Sequence, residues 1–186
     1  MLAQNITELS AQKELKPKIE DVLPCYISGE KLDNALSFIS YLRANKMKPT
    51  WAGIHNAWKS TYKGKAICYI RLFNDSWKNS SHLRDKYGKH SWVITPYIEE
   101  NMAIYSETIL NEGLQDFIWT NVHHCMRCRV PCHGKNPPHK DVMVLGKEVT
   151  GLCHGRPLVW AFDPNKVALD SMKRLLELEQ CARDNS

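Results

Sequence analysis

The stretch of metal-ligating side chains from His123 to His154 constrains this chain more than any other feature. It reads His123-His124-Cys125-Met126-Arg127-Cys128-Arg129-Val130-Pro131-Cys132-His133, then His139, then Cys153-His154, nine Cys or His in all. Two residues separate Cys125 from Cys128, so one tight turn aims both sulfurs at a single ion. Cys132 follows one turn later, and Cys153 arrives from the next hairpin. Zinc takes four such ligands in a tetrahedron, each sulfur at about 2.3 Å. The sequence therefore predicts one structural zinc ion held by Cys125, Cys128, Cys132 and Cys153. A closed four-sulfur site leaves no open position for catalysis. It contributes to folding, because the unfolded chain has no preformed site.

Other readings of the cluster stay open. His133 and His154 each neighbour a proposed ligand and can replace a cysteine, and His123, His124 and His139 compete from nearby. An iron–sulfur cluster uses the same donors, whereas Mg²⁺ prefers oxygen. The plain alternative is unligated cysteine buried as a small hydrophobe, but the neighbours here are mostly Arg, His, Gly and Lys. Arg127 and Arg129 would lower a thiolate pKa and suit a redox CxxC. Such a motif sits before a helix, and this one follows a predicted helix. Seven cysteines, an odd number, argue against a closed disulfide framework. With no export signal read at the N-terminus, the expected setting is reducing and cytoplasmic. Cys68 reads as a strand core residue, while Cys25 and Cys181 have no assigned role.

The 186 residues suit one domain with its own core. The expected organisation is a single α+β domain over residues 1–186, with 1–24 as a peripheral N-terminal segment and 123–154 as the metal-binding loop. No apolar run approaches the length of a membrane span. Leu32, Ala35, Leu36, Ile39 and Leu42 share one face of a predicted helix that Pro49 stops. Trp51, Ile54, His55 and Trp58 repeat that spacing and predict a second, shorter helix. Residues 66–73 and 91–97 read as strands from their β-branched and aromatic content, with Pro96 at an end or edge. Residues 101–120 read as a helix weakened by Gly113. Residues 142–145 and 158–162 read as strands. Asp163 as N-cap and Pro164 at the first position open a last helix with a Leu169, Met172, Leu175, Leu176 stripe.

An internal repeat organises these elements. Gly64-Lys65, Cys68, Trp92 and Pro96 precede one helix, and Gly146-Lys147, Cys153, Trp160 and Pro164 precede another. Each half reads as a β-hairpin followed by a helix. The fold class is thus α+β: antiparallel hairpins, possible partners in one sheet, with helices packed mainly on one face.

The net charge of +5 is unevenly spread. Residues 43–90 hold eleven Lys or Arg against two Asp, whereas 91–122 hold five acids and no Lys or Arg. A basic block beside an acidic one suits an anionic ligand, nucleic acid or a charge-matched protein, although a solvated lysine face looks the same. Trp51, Trp58, Tyr62, Trp77, Tyr87 and Trp92 lie among these cations and can stack on a planar ligand or pack in a core. His55, Trp58, Tyr62 and Trp92 form the candidate ligand-binding group. No P-loop, dinucleotide fingerprint, nucleophile elbow or HExxH is present. Glu99 and Glu100 are adjacent, so they point apart and make a poor acid/base pair.

The last third of the chain, with Cys125-x2-Cys128-x3-Cys132, Leu145-Gly146-Lys147-Glu148-Val149, Cys153 and Asp163-Pro164 before a Leu-rich helix, resembles a set of small uncharacterised bacterial proteins. In those a Cys-rich loop precedes an FGKEF-like strand and a further Cys. Leu145 and Val149 stand here where that strand carries aromatics. The resemblance implies a bacterial cytoplasmic protein with a metal site, and no activity. The favoured function is a zinc-binding module that recognises a small anionic molecule or a protein. The alternatives are nucleic-acid binding through residues 43–90 and a metal- or thiol-dependent enzyme. The sequence leans away from an enzyme and is silent on oligomeric state.

Overall fold

The computed structural model describes residues 6–73, 89–124, 139–153 and 156–185, with His139 described by its backbone alone. The proposed ligands Cys125, Cys128 and Cys132, and the competing His133 and His154, lie outside the described residues. So do Trp77 and Tyr87. The architecture is α+β. Among the described residues there are six α-helices: α1 (Leu9–Leu15), α2 (Ile19–Val22), α3 (Glu30–Ala44), α4 (Ser106–Asn111), α5 (Gln115–Thr120) and α6 (Lys166–Asp184). The strands are β1 (Pro49–Trp51), β2 (Ala57–Tyr62), β3 (Lys65–Leu72), β4 (Trp92–Pro96), β5 (His139–Val144), β6 (Lys147–Cys153) and β7 (Ala161–Phe162). No helix among the described residues is long and apolar enough to cross a membrane.

Five strands form an antiparallel sheet in the order β1-β2-β3-β4-β7, and β5 and β6 form a separate hairpin. Strand alternation sends one set of side chains inward. Trp51, Trp58, Ile70, Ile94 and Ala161 align across all five strands. On that face they meet Ile19, Val22 and Leu23, then Phe38, Ile39 and Leu42 of α3, then Leu169, Met172 and Leu176 of α6. The opposite, outer face carries Lys59, Tyr69 and Thr95 in one register row and Arg71, Val93 and Phe162 in the next.

Helix α6 serves two cores. Its Leu175, Leu178 and Ala182 turn to a second cluster with Tyr105 and Ile109 near and along α4, Ile118 of α5, and Val144, Val149 and Leu152 of the β5–β6 hairpin. At its C-terminal end Glu179 is fully buried. Its carboxylate accepts from Arg183 Nε (2.7 Å), Asn101 Nδ2 (2.8 Å) and the Tyr105 hydroxyl (2.8 Å). Burial first, then Glu179, pushes the Tyr105 phenol far above its usual pKa. Arg183 also donates to the carbonyls of Lys65 and Ala66, tying α6 to the start of β3.

Several sequence expectations need correcting. Residues 51–58 are not a helix. Trp51 and Trp58 are cross-strand partners on β1 and β2, and the chain between them turns with Gly53 and Asn56 at positive φ. The helix expected over 101–120 is two short ones, broken where Gly113 takes φ 72°. Asp163 does not cap α6. It adopts φ 41°, and its carboxylate accepts from the backbone N–H groups of Ser91 and Trp92. Asn165 is the cap, accepting from Ala168 N at 2.9 Å. The expected strand over 158–162 pairs in the sheet only at Ala161–Phe162, with Val159 bridging Val122. The first predicted hairpin forms as the antiparallel β3–β4 pair, whereas the second is split: β5 pairs with β6 in a separate hairpin, and the 158–162 segment joins the main sheet beside β4 as β7. The β2–β3 and β5–β6 turns match, Lys63-Gly64 and Leu145-Gly146 each placing two consecutive residues at positive φ.

Candidate functional site

The end of β6 gathers what the described residues contribute to the predicted metal site. Cys153 is 6% exposed and pairs directly with His139 across the hairpin. Its neighbour Leu152 pairs with Lys140 on one side and bridges to His124 on the other. The chain therefore leaves the described fold at His124 and rejoins it at His139, on the two flanks of the Leu152-Cys153 step. His124 is fixed there by its Nδ1, which donates to the Thr150 carbonyl at 3.0 Å. His123 faces the other way, 6% exposed and stacked on Trp160 with ring centroids 4.0 Å apart. Among the described residues alone, no group of three or more His, Cys, Asp or Glu is arranged to hold a metal ion.

Next to this step lies a cleft of about 630 Å³. Its lining comes from five separate parts of the chain. Lys65 and Ala66 open β3, Tyr97, Glu99 and Glu100 follow β4, Lys140 is on β5, Arg156 and Pro157 follow β6, and Arg183 closes α6. Two of its cations are bound to the hairpin end: Lys140 follows His139, and Arg156 lies three residues past Cys153. Both side chains are mostly exposed, and neither makes a hydrogen bond or ion pair with a described residue. Arg183 is committed to Glu179 and to backbone carbonyls, so it acts as a fixed wall.

The two acids of the cleft differ. Glu99 accepts from the backbone N–H of Leu158 and from Ile98 N (3.1 Å), which holds the turn before Trp160. Glu100 is exposed at the cleft. Tyr97 packs against Tyr69 with centroids 5.5 Å apart. Burial first, then Tyr69 and Glu99, raises the Tyr97 phenol above its usual pKa, so at neutral pH it is an uncharged donor. A smaller pocket of about 140 Å³ adjoins the cleft through Glu99, Lys140 and Arg156, and is lined by His123, Cys153 and apolar residues of the hairpin.

Of the sequence-predicted ligand group, Trp58 and Trp92 lie in one core with Tyr62 packed against it, and His55 holds the N-terminal segment. Trp58 and Trp92 are fully buried in the main core, where Trp58 Nε1 donates to the Pro17 carbonyl at 2.9 Å. His55 Nε2 donates to the Thr7 carbonyl at 2.7 Å, holding the N-terminal segment on the β1–β2 turn. The Tyr62 hydroxyl donates to Asp184 at the end of α6. His55, Trp58 and Tyr62 share a helical spacing in the sequence, but a turn and a strand send them to different neighbours, and Trp92 lies on β4. In the basic segment, Arg43 is paired with Glu20 and Lys63 with Asp184. Lys140 and Arg156 were missed because they stand singly in the sequence and meet only in the fold. Comparison of the chain with family models, with curated proteins and with solved structures finds no match.

Proposed function

We propose that this chain is a metal-stabilised binding module. In this reading one zinc ion, held by Cys125, Cys128, Cys132 and Cys153, fixes the loop at the end of the β5–β6 hairpin. The adjoining cleft then takes a small anionic ligand. The observation that carries the reading is the placement of Lys140 and Arg156. Both line the cleft, and both lie within three residues of the His139–Cys153 pair. A metal bound at Cys153 would set the position of the two cations that meet the ligand. The resemblance of the last third to small bacterial proteins with a Cys-rich loop supports the metal half, and a bacterial, cytoplasmic setting is part of the proposal. Ligand clefts of this size class hold small molecules with a few convergent polar groups.

The test is elemental analysis of purified protein together with calorimetric titration of inorganic phosphate. One zinc per chain is expected, lost in Cys128→Ser and Cys153→Ser. Phosphate affinity should fall about tenfold in Arg156→Gln, from the loss of one charge-assisted contact. Zinc retained by Cys153→Ser would move the fourth ligand to a histidine. Absence of metal from a folded sample, or phosphate binding indifferent to Arg156, contradicts the respective half.

A further inference from the structure

We propose that the cleft is built for a nucleoside phosphate, with its phosphate among Lys65, Lys140 and Arg156 and its base against Tyr97 on the outer face of the sheet. This rests on the anion-cleft reading above and supplies the other half of the ligand. The cleft adjoins a smaller groove of about 170 Å³, and the two share Tyr97, Arg156 and Pro157. The groove is lined by the outer face of β3 and β4, where Tyr69, Arg71, Val93 and Thr95 lie beside Tyr97, and by Trp160. An inorganic anion would use the cleft alone. A ligand filling both spaces meets the Tyr69 and Tyr97 rings at one end and the cations of the cleft at the other, with Arg156 at the joint. Bases of any kind stack on aromatic rings, and phosphate oxygens take charge-assisted hydrogen bonds from Arg and Lys.

The acids in the cleft favour a mononucleotide over a strand. Glu99 and Glu100 share the cleft with the cations, so a backbone with further phosphates would meet like charge there. A carboxylate accepts hydrogen bonds from hydroxyls, and Glu100 is placed to accept from the sugar between base and phosphate.

The experiment is calorimetric titration of the full chain with the four ribonucleoside 5′-monophosphates, their nucleosides, inorganic phosphate and a ten-residue uridine oligonucleotide. At least one monophosphate should bind about tenfold tighter than both its nucleoside and inorganic phosphate. Arg156→Gln should weaken nucleotide and phosphate alike by about tenfold. Tyr97→Leu should weaken the nucleotide about tenfold and leave phosphate within about twofold, while Tyr97→Phe, which keeps the ring, binds as the parent does. Phosphate binding as tightly as every nucleotide would overturn this inference and leave the anion cleft standing. An oligonucleotide more than about tenfold tighter than any monophosphate would overturn it in favour of a strand. Failure of phosphate and nucleotides together would overturn both readings.

Discussion

The β2–β3 and β5–β6 hairpins turn alike, on Lys63-Gly64 and Leu145-Gly146, yet their surroundings differ. The first lies inside a five-stranded sheet, with β1 beside β2 and β4 beside β3. Its inner face meets α2, α3 and α6 through a continuous set of fully buried side chains. The second has two strands and no further partner strand among the described residues. It packs Val144, Val149 and Leu152 on the second core, and Trp119 Nε1 donates to the Val144 carbonyl at 2.8 Å. A lone two-stranded hairpin is marginal in water and needs packing or a staple. The main sheet rests on the larger apolar core, and the hairpin is the part that a zinc ion at Cys153 would secure.

The contrast can be broken from the main core first. Trp58→Ala removes a fully buried ring between the sheet and the chain before α2, so stability measured by urea unfolding should fall by about 3–5 kcal/mol. Metal content per folded chain should not change. Next is the element both regions share. Arg183→Met leaves the buried Glu179 carboxylate without its cation and should cost about 3 kcal/mol. Adding Glu179→Leu should recover much of that loss, since a buried pair replaced by apolar residues is often neutral.

The matched turns give a direct comparison. Gly64 and Gly146 have φ of 79° and 80°, and a Cβ added to either meets nothing within 4 Å. Changing each to Ala therefore adds backbone strain alone, about 1 kcal/mol. Gly64→Ala should show that cost in global unfolding. Gly146→Ala should show it mainly as faster amide exchange within residues 139–153. The smallest effect belongs to Glu20, whose carboxyl is held below its usual pKa chiefly by its hydrogen bonds with Arg43. That stability is present above the ordinary carboxylate pKa and is lost as pH falls through the lowered folded value. Glu20→Gln should cost about 0.5 kcal/mol at neutral pH, after allowance for solvent screening, and the gap to the parent should close in acid.

Local patterns in the sequence foretold part of this. Helix α3 follows its apolar face, and β3 and β4 follow their β-branched content. The segment 51–58 misled because two tryptophans seven residues apart satisfy a helix face and also a cross-strand pair; only partner strands decide between them. Asp163 lies where an N-cap is expected, and its carboxylate is taken by the Ser91 and Trp92 amides of a distant strand. Cys153 stands out in the sequence because ligand types cluster around it, and most of that cluster lies outside the described residues. The cleft was not, since Lys65, Tyr97, Lys140 and Arg156 carry no common motif and meet only through tertiary packing.

The central claim is that a metal at Cys153 secures the hairpin region and not the main sheet. Amide hydrogen exchange, followed residue by residue with and without a zinc chelator, tests it most directly. Chelation should speed exchange across residues 139–153 at least about tenfold while β2, β3 and β4 keep their protection. Unchanged exchange in the hairpin, or equal loss in both sheets, would contradict it.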